Sequence, residues 1–419
     1  MKKHWLQEIP EPGYALPPKV DYLAIGVALV ILNNVFSLTP QLSQTIFYIV
    51  LIALSFFLLL YSFKNSLTVN LSMWGVWGMM WISILINYNE IPARFQSSYR
   101  TIAFFLVLMV TAPFLAGHSL NMIRDRIFDV MNLAMLFMAS LSFLGRFFSF
   151  LPTDSQGFYL GCTHHSMDLA CLCGIAMVYA VHRFQKARNN KQLCCFFGCC
   201  FAGAFLVLLF ASSRTSVISG VIAVLAYYGV GGSQSMLKVI KPVCALCLLL
   251  FAVTLYSPNA FSGLLGKSIK NESITLNSFT SSRSGIWQNR IDEIMESPVF
   301  GIGAHAVKYG GSSLSGTIEP GNAWLYVFSS MGVFSFLLFC WMMAHAVLRC
   351  RRFARPGSKA SLVLGLLVYF SLYMMGEAHI TAVGEFSCSY FWLLLSVAFY
   401  HEFGQDTETA SDLSLVAVQ

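Results

Sequence analysis

The stretch CCFFGCCFAGAFLVLLFASSRTSVISGVIAVLAYYGVG, residues 194–231, decides what kind of molecule this is. It holds two apolar blocks, 194–212 and 215–231, with a tight joint around Ser212-Ser213-Arg214-Thr215. Arg214 is its single charge. A helix needs about 20 mostly apolar residues to cross a bilayer, and each block approaches that length. Working outward, the same unit recurs at 21–39, 42–63, 67–88, 101–117, 127–148 and 166–182, then at 239–256, 323–348, 361–376 and 387–401. The expectation is an all-α polytopic membrane protein with about twelve transmembrane helices. A large helical extra-cytoplasmic loop would separate the ninth from the tenth.

Composition agrees. Of the 419 residues, 57% are hydrophobic and 11% charged, against about 25% charged in soluble domains. The net charge of +7 does not point to nucleic acid, because the basic residues recur in short connectors instead of pooling on one domain. Counted by side, one face holds 17 of them: Lys2, Lys3, Lys19, Lys64, Arg124, Arg126, Arg183, Lys186, Arg188, Lys191, Lys238, Lys241, Arg349, Arg351, Arg352, Arg355 and Lys359. The short connectors of the other face hold four: Arg94, Arg100, Arg146 and Arg214. Positive residues stay inside, so both termini are expected in the cytoplasm. The chain then divides into a cytoplasmic segment 1–20, helices one to nine over 21–256, an outer loop 257–322, helices ten to twelve over 323–401, and a cytoplasmic tail 402–419. Pro10, Pro12, Pro17 and Pro18 leave the first segment without an apolar core, so no cleavable signal peptide is expected.

Most of the twelve cysteines fall inside apolar blocks. The run from Cys194 to Cys200 reads as small helix-packing residues, since zinc sites favour polar loops. No metal, cofactor or disulfide framework is expected. There is no glycine-rich phosphate loop and no repeat of fixed period.

Chemistry concentrates on the outer side, where no ATP is available, so any substrate must arrive already activated. Residues 281–296 read as an amphipathic helix, with Trp287, Ile291, Ile294 and Met295 at helical spacing. Arg283 would stand at its N-terminus, where free N–H groups and the helix dipole favour an anion. Arg290 lies two turns on, and guanidinium groups suit phosphate oxygens. A helix lying on the membrane with solvated arginines is the competing reading. Arg214, at the end of two apolar blocks, either faces a cavity or partner or snorkels to headgroups. Possible acids and bases on the same side are Asp154, His164, His165, Asp168, His305, Glu319, Glu377, His379 and Glu385. No D-x-D pair accompanies them.

Ser213-Arg214-Thr215-Ser216 resembles the first signature of the O-antigen ligase and Wzy polymerase superfamily. Ser282-Arg283-Ser284-Gly285-Ile286-Trp287, followed by Ser297-Pro298-Val299-Phe300-Gly301-Ile302-Gly303, resembles the second. Gly161-Cys162-Thr163-His164-His165-Ser166 resembles a glycine-led motif ahead of the family's sixth helix. The resemblance implies a metal-independent glycosyltransferase of the bacterial inner membrane, with its site outside the cytoplasm. Its donor would be a polyprenyl-diphosphate-linked saccharide and its acceptor a glycan, worked on among membrane lipid with a chain-length regulator and a flippase as partners. Arg214 and Arg283 would hold the leaving diphosphate. In the ligases a His-Asn pair at the start of the tenth helix supplies the base, whereas this chain reads Glu319-Pro320-Gly321-Asn322. Glu319 is then the expected base, with Arg290, His305, Asn322, His165, Glu377 and His379 as substrate contacts. A polymerase of undecaprenyl-linked repeat units leads. A ligase passing glycan to lipid A-core and a polysaccharide transporter or flippase are the alternatives.

Overall fold

The computed structural model describes residues 16–63, 66–92, 95–153, 158–229, 283–309 and 321–403. The expected span 239–256, Asp154 and Glu319 lie outside them. The described chain is almost wholly helical. Helices α1 (Pro18–Asn33), α2 (Gln44–Ser62), α3 (Leu71–Ile86), α4 (Ser97–Leu108), α5 (His118–Phe147), α6 (Ser166–Lys186), α7 (Lys191–Phe210) and α8 (Arg214–Gly229) come first. They are followed by α9 (Arg283–Glu296), α10 (Ala323–Phe353), α11 (Lys359–Tyr373) and α12 (Phe386–Tyr400). Two short strands, β1 (Thr68–Val69) and β2 (Leu115–Ala116), pair antiparallel with Thr68 opposite Ala116. Five helices, α2, α5, α6, α7 and α10, are each long and apolar enough to cross a membrane. The chain is a multi-pass membrane protein.

Helix α6 is buried along nearly its whole length, as is α12. Lipid is as apolar as leucine, so helices in it associate through close packing at small residues. A Cβ on Gly174 of α6 would lie 2.3 Å from the Tyr369 ring of α11, and one on Gly220 of α8 would lie 2.6 Å from Met177. Cys171 and Cys173 are buried in the same seam, whereas Cys195 and Cys199 are exposed on α7.

One helix stops short of its hydropathy block for a definite reason. The block 101–117 forms only α4, which stops at Leu108. Pro113 follows, and a proline interrupts the helical hydrogen-bond ladder. The carbonyls left over are taken by Arg124, one turn and a half into α5. Its guanidinium donates to Val110 O at 2.7 Å, Ala112 O at 2.6 Å and Leu115 O at 2.7 Å. One of the arginines counted on the inner side is therefore buried as a cap.

Helix α10 is broken. Gly332 has φ 78° and ψ −179° within it, and the segment 297–303 threads into the break. Ile302 N donates to Ser329 O at 2.9 Å, Gly303 N to Ser330 O at 3.2 Å, and Val333 N to Pro298 O at 2.9 Å. A Cβ on Gly332 would sit 2.0 Å from Val299 O. The glycines of this motif are thus required by backbone meeting backbone.

One end of the bundle is tied by charge. Lys359 pairs with Asp125 and Asp129, each at 3.2 Å, His401 with Asp125 at 2.7 Å, and Arg126 with Asp21 at 2.5 Å. The opposite end carries the functional candidates.

Candidate functional site

Helix α7 leads into the joint through Ser212, which has φ +57°. Ser213 Oγ then accepts from Ser216 N at 3.5 Å and lies 2.9 Å from Ser216 Oγ. This closes the first turn of α8 and puts Arg214 at its first position. The end of α11 passes directly against that turn, since a Cβ on Gly376 would lie 2.5 Å from Thr215 Oγ1. Arg214 is thereby next in sequence to Thr215, and Glu377 next to Gly376, at the point where the two elements touch.

Arg283 is the first residue of α9. Its Nη2 donates to Glu377 Oε1, and both side chains are largely buried. Arg283 Nη1 has no partner among the described residues. Glu377 Oε2 lies 3.7 Å from His379 Nε2, and the His379 ring stacks on Tyr373 with 6.1 Å between centroids. Burial holds the His379 imidazole below its ordinary range, Glu385 opposes this, and Arg283 and His165 add to the lowering. Asp168, in the first turn of α6, faces Glu385 and Glu377. The structure therefore brings Arg283, Glu377, His379, Glu385, Asp168 and His165 to one end of the bundle, beside the Arg214–Thr215 turn. This grouping can hold an anion on guanidinium groups while offering carboxylates to take up a proton.

Asn322 has a local duty: its Oδ1 accepts from Leu325 N at 3.1 Å and caps α10. Gly321 beside it has φ +65°, and a Cβ there would lie 2.9 Å from Ile286 Cγ2. Trp287 Nε1 donates to Gly321 O at 3.2 Å, and Ala323 N to Met374 O at 2.8 Å. The junction thus docks α9 and α11 onto the start of α10, and a bulky side chain at 321 would push α9 away. His165 caps α6, with Nδ1 accepting from Met167 N at 3.2 Å.

Arg290 and His305 are placed elsewhere. Arg290 is 1% exposed and pairs at 2.9 Å with Glu293, which is 0% exposed. Arg290 donates to Tyr309 O at 2.5 Å, and Glu293 Oε1 accepts from Lys308 N at 2.7 Å and Tyr309 N at 3.1 Å. The pair anchors α9 to the segment after it, and removing one partner of such a pair costs about 3–5 kcal/mol. His305 is buried with φ +57°. Burial first, then Arg100, pushes its imidazole down to about 3.

Sequence reading passed over Tyr373, which seats His379, and Glu293, which pairs with Arg290. The only signal for Tyr373 was its position four residues after Tyr369, at the end of the helix that leads to Gly376. No group of three His, Cys, Asp or Glu among the described residues is placed to hold a metal ion.

With this geometry established, comparison with known families adds one finding. Residues 199–340 match the O-antigen ligase family. The O-antigen ligase match agrees with the resemblance carried by Arg214 and Arg283. It covers about a third of the 419 residues and runs from α7 into α10. Arg214, Arg283, Arg290, His305, Glu319 and Asn322 fall within the O-antigen ligase segment, while His165, Glu377 and His379 lie outside it. No curated protein matches the chain.

Proposed function

We propose that the protein is a membrane glycosyltransferase that polymerises undecaprenyl-diphosphate-linked oligosaccharide repeat units on the outer face of the bacterial inner membrane. The observation that carries this is the Arg283–Glu377 contact beside the Arg214–Thr215 turn. Two guanidinium groups at one end of the bundle suit a diphosphate leaving group, and Arg283 keeps an unpartnered Nη1 to offer it. Helix α9 also points its N-terminus there, which favours the same anion.

In this reading a hydroxyl of the acceptor sugar attacks the anomeric carbon of the donor. The new glycosidic C–O bond forms as the bond to phosphate breaks, and undecaprenyl diphosphate leaves with its charge on Arg214 and Arg283. The hydroxyl proton passes to a carboxylate. Glu319, two residues before Gly321, is one candidate. Glu377 is the other, because a diphosphate competing for Arg283 would release it from its ion pair and so restore its basicity. Neither step calls for a metal, since the arginines supply the neutralising charge.

Gly321 favours polymerase over ligase: it stands where the ligases carry their histidine, with positive φ and against Ile286. The seventeen-to-four bias of basic residues supports the site facing outward. A chain-length regulator and a flippase would serve the same pathway.

The test is deletion in the host, with surface polysaccharide run on a gel after complementation. Wild type should restore long chains, while Arg214→Ala and Arg283→Ala, at normal membrane levels, should leave single repeat units on their acceptor. Glu319→Gln and Glu377→Gln then separate the two candidate bases. Long chains accumulating on the polyprenyl carrier would instead establish a ligase. An unchanged pattern would favour transport, to be checked by flipping of lipid-linked sugar in liposomes.

A further inference from the structure

We propose that a cavity between the end of α3 and the start of α4 is a saccharide-binding subsite that holds the glycan away from the reacting bond; this rests on the polymerase reading above. The cavity has a volume of about 300 Å³, within the range of small-ligand sites. Five of its eight lining residues carry polar groups: Tyr88, Gln96, Ser97, Ser98 and Tyr99. An acyl chain would call for an apolar lining throughout. A pyranose instead offers a C–H face that packs on an aromatic ring and a rim of hydroxyls that bond to short polar side chains, and this lining supplies both.

Ser97 gives the independent sign of a ligand. It is 5% exposed, and its Oγ has no hydrogen-bond partner among the described residues. Ser97 lines the cavity, and a turn of its side chain would offer this hydroxyl, costly to leave unmatched, to a sugar. Interfacial tyrosines can also simply anchor a helix at the headgroups. Anchoring, however, gives no reason for a desolvated serine between them. Gln96, next to it, lines the cavity as well, with φ +48° and no capping bond from its side chain to α4.

The placement suits a growing chain. Asn87 Nδ2 donates to Gly301 O at 2.9 Å, and a Cβ on Gly303 would lie 2.4 Å from Ile91, another lining residue. The cavity wall is therefore built on the 297–303 segment that follows α9. Helix α9 has 14 residues, about 20 Å at 1.5 Å per residue. Arg283 is at its far end. A saccharide reaching the cavity would be held several sugars from the diphosphate.

The test uses full-length protein in lipid nanodiscs and, as probe, the host's own surface oligosaccharide freed from lipid by mild acid. Fluorescence titration should show saturable binding to wild type. Tyr99→Ala should weaken it by about tenfold or more, roughly the effect of losing one good contact. Tyr99→Phe keeps the ring and should bind within about twofold of wild type. Should Tyr99→Ala fail to reach the membrane, Tyr88→Ala on the facing element replaces it. In cells the alanine variants should shorten the glycan while retaining the first transfer. Unaltered binding by a folded alanine variant, or none by wild type, overturns the subsite. Full-length glycan from Arg214→Ala and Arg283→Ala cells would sink the polymerase reading instead, and Tyr99-dependent sugar binding would still support the subsite.

Discussion

Arg283 offers two separate properties, charge and a planar fork, and they can be pulled apart. Arg283→Lys keeps the charge but cannot grip two phosphate oxygens at once. Glycan elongation should fall by more than about tenfold in a gel-based transfer assay, with Glu377 still paired and protein levels unchanged. Retained elongation would reduce Arg283 to a structural partner of Glu377. His305 gives a pH prediction at the same scale. Its imidazole is pushed down from 6.5 to about 3, so the unfolded chain binds a proton that the folded chain refuses between those values. The stability tied to this is fully present above about pH 6.5 and drains away as pH falls toward about 3. Thermal unfolding of purified protein should show a steeper acid decline for wild type than for His305→Asn. Equal slopes would refute it. The placement of Arg214 and Arg283 was legible in sequence, the first as a charge between two apolar blocks and the second as the start of an amphipathic helix. The fate of His305 was not, because nothing near it in sequence announces burial.

Elements were read well where periodicity reflects lipid contact and poorly where polar groups pair over distance. The amphipathic pattern in 281–296 correctly announced α9 and misjudged its face. Met295 is 77% exposed while Arg290 and Glu293 are buried, because Glu293 takes main-chain N–H groups 15 and 16 residues ahead. Hydropathy weighs a charged residue as solvent-seeking and has no term for such a partner. The burial of Arg124 has the same origin, since it collects carbonyls from the chain before it where Pro113 has interrupted the helix. Glycines allow a direct comparison between elements. Gly332→Ala would drive a Cβ to 2.0 Å from Val299 O at φ +78° and should cost on the order of 3 kcal/mol or more. Gly285 in α9 has nothing within 4 Å of such a Cβ, so Gly285→Ala should stabilise by about 0.5–1 kcal/mol. Melting temperatures in detergent would check the pair; similar shifts would mean the break in α10 is not built as described.

The whole molecule has two unlike ends. One is stitched by Lys359, Asp125, His401 and the Arg126–Asp21 pair; the other gathers Arg214, Arg283, Glu377 and His379. Orientation can be tested on a background freed of native cysteines. Ser284→Cys, exposed at the start of α9, should react with a membrane-impermeant maleimide on intact spheroplasts. Asn189→Cys, exposed between α6 and α7, should react only after permeabilisation. The reverse pattern would invert the proposed topology and place the site where ATP is available. Charge counting supplies the orientation to be tested, because the bias is summed over many connectors and tolerates error in each. The count of spans is more fragile, since 239–256 lies outside the described residues.

The threaded break in α10 has a mechanical consequence. Main-chain bonds at Ser329, Ser330 and Val333 rivet the segment that leaves α9, and the Arg290–Glu293 pair clamps the same half of the helix. The other half meets the bundle through Arg283 on Glu377 and Trp287 on Gly321. Helix α9 is thus a lever with its fulcrum at Pro298 and its arginine at the tip, latched only by side chains. A small swing of that tip would leave the bundle beneath it locked; under the proposed function, such a swing would admit a bulky lipid-borne sugar.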